Sequence, residues 1–231
     1  MFAQIIYIEG HKKSEESANR CLTSCDVYGY SASKVQGITP ITLPIAEEKY
    51  KLFPLTNSRA WDYETQNQPY LKTKKSCFLN HVIFWEKVVT TNDIGIFLEH
   101  DALATTIWDD PNFTEVLCLN MKSAFDFNRN LNKDGKGESF TYKNTLPRVL
   151  RDMRSKLVYL KNNLFKGAVL IPGTAAYAIT PKGAERLLKS LKINGWDQSD
   201  FFINTKNVNI QYADPDYFKF NGENLKTSLG F

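Results

Sequence analysis

The stretch GIFLEHDA, residues 95–102, sets an apolar run directly before Glu99, His100 and Asp101. "IGIFL" is short, rich in strand formers and apolar on both sides, which predicts a central parallel strand buried on both faces. The acidic triplet then falls at the carboxyl end of that strand. In open sheets built from alternating strands and helices, ligands bind in the crevice beyond the carboxyl ends of the strands. One stretch therefore predicts both an α/β fold and the place of its site.

Working outward, Phe78, Val82, Trp85 and Val89 recur at intervals of one helical turn, which predicts a helix from about Ser76 that buries Trp85 and ends at "TTND". Near the start of the chain, "AQIIYI" reads as a strand, "EGHKKSEES" as a polar break and "ANRCLTSC" as helix-compatible. "GYSASKVQGITPI" reads as loop, short strand and loop, and residues from about 40 to 75 show too little periodicity for anything but an irregular connection. Downstream, "EVLCLN", "AVLIP" and "GTAAYAIT" read as strands. Thr180 can cap the next helix, Pro181 suits its first position, and Ala184, Leu187, Leu188 and Leu191 form its buried stripe. "VNIQYADPDYF" reads as a last strand followed by turns.

A chain of 231 residues with ordinary apolar content is expected to form one domain, residues 1–231. Its net charge of +4 is far from the dense basic stripe of a nucleic-acid binder, so no nucleic-acid partner is expected. The opening residues do not read as a secretory signal, and no run approaches the roughly 20 apolar residues of a membrane span. A cytoplasmic location is the expectation. The spacing of Cys21, Cys25, Cys77 and Cys118 is neither a zinc knuckle nor a redox pair, and all four read as reduced thiols packed in a core.

From about 126 to 166 the chain reads as a polar loop and then a basic amphipathic helix carrying Arg148, Arg151, Arg154 and Lys156. A solvated face on a packed helix is the plainer reading of those charges. The functional one is peripheral contact with an anionic membrane or a lipid-linked acceptor. Asn130, Asn132, Asp134 and Gly135 imitate half of a calcium loop, but its twelfth position is Thr141 rather than the required Glu.

Two carboxylates two residues apart can offer hard oxygen ligands to Mg²⁺ or Mn²⁺, which keep open positions for substrate phosphates. The chemistry this suggests for Glu99 and Asp101 is the handling of a diphosphate. The plainer reading makes them caps, with His100 packed or bonded to backbone. The sequence has neither a G-x-G-x-x-G nor a Walker-type loop, which argues against other nucleotide-dependent α/β enzymes.

"SCFLNHVIFWEKVV", "GIFLEHDA" and "PGTAAYAITPKGAERLL" resemble, in order and spacing, glycosyltransferase family 25, the lipopolysaccharide and procollagen galactosyltransferase group. That family shows a G-C-x-x-S-H-like helix start, a strand ending in E-D-D-A, and a G-T-x-A-Y-x-I-S-P-x-G-A segment, the most specific match here. The resemblance spans about 75 to 217, with a weaker echo in the first strand and helix. It implies a GT-A type, Rossmann-like single α/β domain with a mostly parallel central sheet. The implied activity is metal-dependent, inverting transfer of a sugar, galactose by the family's name, from a nucleotide-sugar donor to a glycan or lipid-linked glycan, with UDP the favoured nucleotide.

Carried over residue by residue, Asp101 and Glu99 would hold Mn²⁺ or Mg²⁺, with Glu99 near the ribose or a metal-bound water. His81 matches the histidine of the helix and joins the cofactor side with Gly173 and Thr174, and His11 and Lys12 stand where the family has a basic turn. Asp200, in "SDFFIN", matches an acceptor-side carboxylate and would be the general base, with Asp197 in reserve; the plainer reading makes both surface or capping groups. Trp61, Tyr63 and Tyr70 could form a sugar platform or simply pack. Three departures stand out: His100 replaces the middle acid, Asn80 the serine before the histidine, and "IEGHKKS" the usual N-L-D-R-R-like turn. His100 and the altered turn support an alternative, a catalytically degenerate member that binds nucleotide or glycan without turnover.

Overall fold

The computed structural model describes residues 1–51, 71–120, 171 and 174–220. Three strands come first in the main sheet: β1 (Phe2–Tyr7), β2 (Ala32–Gln36) and β3 (Gly95–Glu99). β4 (Ala102–Ala104) follows at once, then β5 (Val116–Cys118), β6 (Ala176–Ile179), β7 (Ile210–Tyr212) and β8 (Phe218–Phe220). The helices are α1 (Lys12–Val27), α2 (Leu43–Tyr50), α3 (Leu71–Thr91), α4 (Pro181–Asn194) and the short α5 (Ser199–Phe202).

Six strands form the main sheet in the order β2-β1-β3-β6-β5-β7, while β4 and β8 make a small antiparallel sheet of their own. β1 runs parallel to β2 and β3, β6 runs antiparallel to both β3 and β5, and β5 is parallel to β7. All strands of the sheet except β6 thus point one way. "IGIFL" is the central strand its composition predicts, with Gly95 to Leu98 buried.

Alternation along the strands builds two cores. Phe97, Tyr177, Val116 and Cys118 face α3 and α4 with Phe78, Trp85 and Leu187. Ile96, Leu98, Ala176, Ala178 and Leu117 face the other way, onto Ala18, Cys21 and Cys25 of α1. Successive residues of β3 and β6 therefore bury on opposite faces, as a sheet covered by helices on both sides requires.

α4 begins as the sequence predicts: the Thr180 side chain accepts the Gly183 N–H at 3.2 Å, and Pro181 occupies the first turn. A Cβ on Gly183 would lie 2.6 Å from the Glu115 carbonyl oxygen, so glycine lets α4 settle onto the start of β5. Glu115 locks that junction: its carboxylate takes the Asn209 N–H at 2.7 Å and the Arg186 guanidinium at 2.8 Å. Burial works against its charge, but these donors and Lys182 hold its pKa below the usual carboxylate range.

Three expectations need correction. The irregular connection drawn over 40 to 75 contains α2, and α3 begins at Leu71 rather than near Ser76. α1 starts at Lys12, inside the polar stretch read as a break, because the His11 ring caps it by accepting the Ser14 N–H at 3.2 Å. Cys21, Cys25 and Cys118 are buried as expected, but Cys77 is exposed. The "AVLIP" strand apart from Ile171, the polar loop and basic helix, and Trp61, Tyr63 and Tyr70 lie outside the described residues. Among the described residues no helix is long and apolar enough to cross a membrane.

Candidate active site

Because β6 runs against its neighbours, its amino end meets the carboxyl ends of β1, β3 and β5 along one edge of the sheet. The Glu99 N–H donates to the Ala175 carbonyl at 2.8 Å, which ties the acidic triplet to the residue just before β6. Glu99 closes β3 and Ala102 opens β4, so His100 and Asp101 form a short link held by a strand at each end.

The triplet straddles the sheet. Glu99 follows the alternation of β3 toward the α3 side, where its charge interacts with Cys77 and Asp200. Asp101 lies on the other side, near Cys21 of α1. The two carboxylates remain close enough to repel. Burial, then the charges of Asp101 and Asp200, push the Glu99 pKa up to about 8. Glu99 is half-buried and its carboxylate makes no hydrogen bond among the described residues. Asp101 is 8 % exposed, and its Oδ1 is buried without a hydrogen-bond partner among the described residues. Burial raises its pKa while His100 pulls it down. Burial and the nearby His11 in turn lower the pKa of His100, against the pull of Asp101.

Asp200 sits in the first turn of α5. Its Oδ1 accepts two bonds from Thr174, the N–H at 3.3 Å and the hydroxyl at 3.0 Å. Burial raises its pKa and those two bonds oppose the rise. Cys77 is the residue that sequence reasoning missed. Solvent reaches it, yet burial by its surroundings, with Glu99 and Asp200 adding, pushes the thiol up to about 12. Cys77 is thus an accessible thiol beside Glu99 and Asp200, whose charges disfavour its anion. Its signal was the cysteine in the helix-start motif that His81 and Asn80 also belong to.

The remaining expected site residues divide. His11, at the amino end of α1, lies near His100, while Lys12 is exposed and pairs with Glu16 at 3.8 Å. Thr174 is at the cleft edge, but its hydroxyl is engaged by Asp200 and Ser199. Asp197 is fully buried, with Oδ1 accepting the Gln198 N–H at 2.7 Å. Gly173 lies outside the described residues.

His81 is placed behind the cleft wall rather than on it. It is 1 % exposed, stacks on Phe97 with ring centroids 4.0 Å apart, and bonds through Nδ1 to the Tyr177 hydroxyl at 2.9 Å. Trp85 Nε1–H can only donate and reaches the same hydroxyl at 2.9 Å, so one hydroxyl joins both side chains of α3. Burial lowers the pKa of the ring to about 3. Asn80, one residue earlier, clamps the loop after β2: its Oδ1 accepts the Ile38 N–H at 2.7 Å.

The sequence profile of glycosyltransferase family 25 (LPS biosynthesis protein) matches residues 35–203, well over half of the chain. The chain belongs to glycosyltransferase family 25. No curated protein matches it in sequence. The family 25 match takes in Cys77, the acidic triplet, Thr174 and Asp200, and leaves out β1 and the amino end of α1 with His11 and Lys12. Family 25 membership makes the chain a glycosyltransferase by kind, with a sugar donor and a glycan acceptor as its general substrates.

Proposed function

We propose that the cleft at the end of the sheet binds a nucleotide sugar, UDP-linked in the first instance, and transfers its sugar with inversion to a glycan acceptor. The observation that carries this reading is the pair of carboxylates, Glu99 and Asp200, brought together beside Cys77 with oxygens that make no hydrogen bond among the described residues. A six-stranded, mostly parallel sheet with an E-x-D motif at the end of its central strand supports the GT-A assignment.

In the transfer, the acceptor hydroxyl gives its proton to Asp200 as its oxygen bonds to the anomeric carbon. The bond from that carbon to the diphosphate oxygen breaks, and its electron pair leaves with the nucleotide. A base pKa above the ordinary carboxylate range favours the proton transfer, and Asp200 is raised in that direction. Lys12, at the amino end of α1, adds positive charge, and the start of that helix adds N–H groups, on the diphosphate side.

Among the described residues no group of three or more His, Cys, Asp or Glu forms a cage for a metal ion. A hard cation bound by one or two carboxylates plus substrate phosphates needs no such cage. The partnerless buried Oδ1 of Asp101, with Glu99 within electrostatic reach, fits that kind of site. Mn²⁺ or Mg²⁺ held there would supply Lewis-acid stabilisation of the leaving diphosphate.

Calorimetric titration of UDP with and without Mn²⁺ tests the donor side. Manganese-dependent binding that Asp101→Asn weakens at least about tenfold supports it, and UDP that fails to bind under any condition contradicts it. On the acceptor side, Asp200→Asn should lower turnover roughly 10² to 10⁴-fold while keeping UDP affinity. His100 at the middle acid position favours one other reading, a binding protein without turnover; a wild type that binds UDP yet turns over no nucleotide sugar would establish it.

A further inference from the structure

Asp200 rides on a single turn of helix, which by itself fixes a carboxylate poorly. Its orientation comes from Thr174, whose N–H and hydroxyl both reach the same oxygen, Oδ1, at 3.3 and 3.0 Å. The Thr174 hydroxyl has one proton and spends it on Asp200. Its 3.1 Å contact with Ser199 is therefore a bond in which the Ser199 hydroxyl donates. Thr174 is 2 % and Ser199 9 % exposed, so neither hydroxyl is offered to a substrate. Oδ2 makes no hydrogen bond among the described residues.

The next residue along completes the arrangement. The carbonyl of Ala175 holds the Glu99 N–H at 2.8 Å, so the dipeptide before β6 ties together the Asp200 carboxylate and the backbone of Glu99. Among the described residues, Glu99 from β3 and Cys77 from α3 interact with the charge of Asp200, the Thr174 hydroxyl bonds to it, and the Ser199 hydroxyl backs Thr174.

We propose that Thr174, supported by Ser199, is a positioning residue: it occupies Oδ1 of Asp200 and turns Oδ2 toward the acceptor hydroxyl. This rests on the reading of Asp200 as the base. It also moves Thr174 from the donor-binding role expected of it to the acceptor side of the reaction.

The test compares Thr174→Val, Thr174→Ser, Ser199→Ala and Asp200→Asn in the full chain. Turnover is followed as nucleotide release, beginning with UDP-galactose and extending to other UDP-, GDP- and CMP-sugars, with nucleotide affinity measured by calorimetry. Thr174→Val keeps the shape and loses the hydroxyl. It should lower kcat roughly 10- to 100-fold, the cost of a slightly misplaced catalytic group, with KM for the donor and nucleotide affinity within about twofold. Thr174→Ser should restore kcat to within about threefold of wild type, and Ser199→Ala should fall between them.

Unchanged kcat in Thr174→Val, with Asp200→Asn inactive, would overturn the positioning role and leave the base assignment standing. Loss of nucleotide affinity in Thr174→Val, or no rescue by serine, would also overturn it. Full activity in Asp200→Asn would remove the base reading instead. A wild type that releases nucleotide from none of these sugars would overturn both.

Discussion

Glu99 loses solvent on folding and gains no hydrogen bond from the described residues, while two other carboxylates repel its charge. Its pKa rises from 4.5 to about 8, so the fold binds this proton more tightly than the unfolded chain does. Stability linked to Glu99 is therefore fully present below pH 4.5 and is lost as pH rises to about 8. Glu99→Gln should raise Tm by a few degrees at pH 8 and leave it almost unchanged at pH 4, read by thermal melts at the two pH values. Such a gain, paired with lost activity, is the signature of a residue kept for function. The places of Glu99 and Asp101 were legible because a buried strand ends where its apolar run ends. Cys77 was not: four cysteines considered together read as core, and only the packing of α3 against β3 and α5 shows that one of them faces solvent.

At the scale of elements, α3 and β6 are joined through one hydroxyl. Tyr177 on β6 serves both His81 and Trp85 of α3, and the rings of Phe84 and Phe97 pack against Tyr177. Tyr177→Phe leaves two buried polar groups unpaired and should cost about 2–4 kcal/mol in chemical denaturation. The His81 pKa falls from 6.5 to about 3 on folding, so the unfolded chain takes up a proton that the fold refuses. Stability should then decline as pH falls from 6.5 toward 3, and substitution of His81 should flatten that decline. The helical spacing of Phe78, Val82 and Trp85 made the core face of α3 legible, as Thr180 and Pro181 did the start of α4. α2 was hidden because an eight-residue helix with one buried side chain, Leu43, carries little periodicity. β4 and β8, three residues each, are too short to show alternation and exist through pairing with each other.

Across the whole molecule, function follows from one reversal. β6 runs against the rest of the sheet, so the residues that precede it arrive beside the carboxyl ends of β3 and β5, and Thr174 meets Asp200 opposite Glu99. Composition announces a short apolar strand but not its direction, which depends on the path of the chain between β5 and β6. For that reason the two halves of the site were legible separately and their meeting was not. Cys77 stands where they meet, which makes it the natural reporter.

The most direct measurement is the rate of iodoacetamide alkylation of Cys77, followed by peptide mass, with and without saturating UDP-galactose and Mn²⁺. A single modified thiol out of four is expected, because Cys21, Cys25 and Cys118 are buried. In the free protein the rate should keep climbing with pH, since the thiol titrates only near about 12. If the cleft is the transfer site, the nucleotide sugar should slow alkylation at least about tenfold, as occlusion by a bound ligand would. Modification at the same rate in its presence would contradict the account.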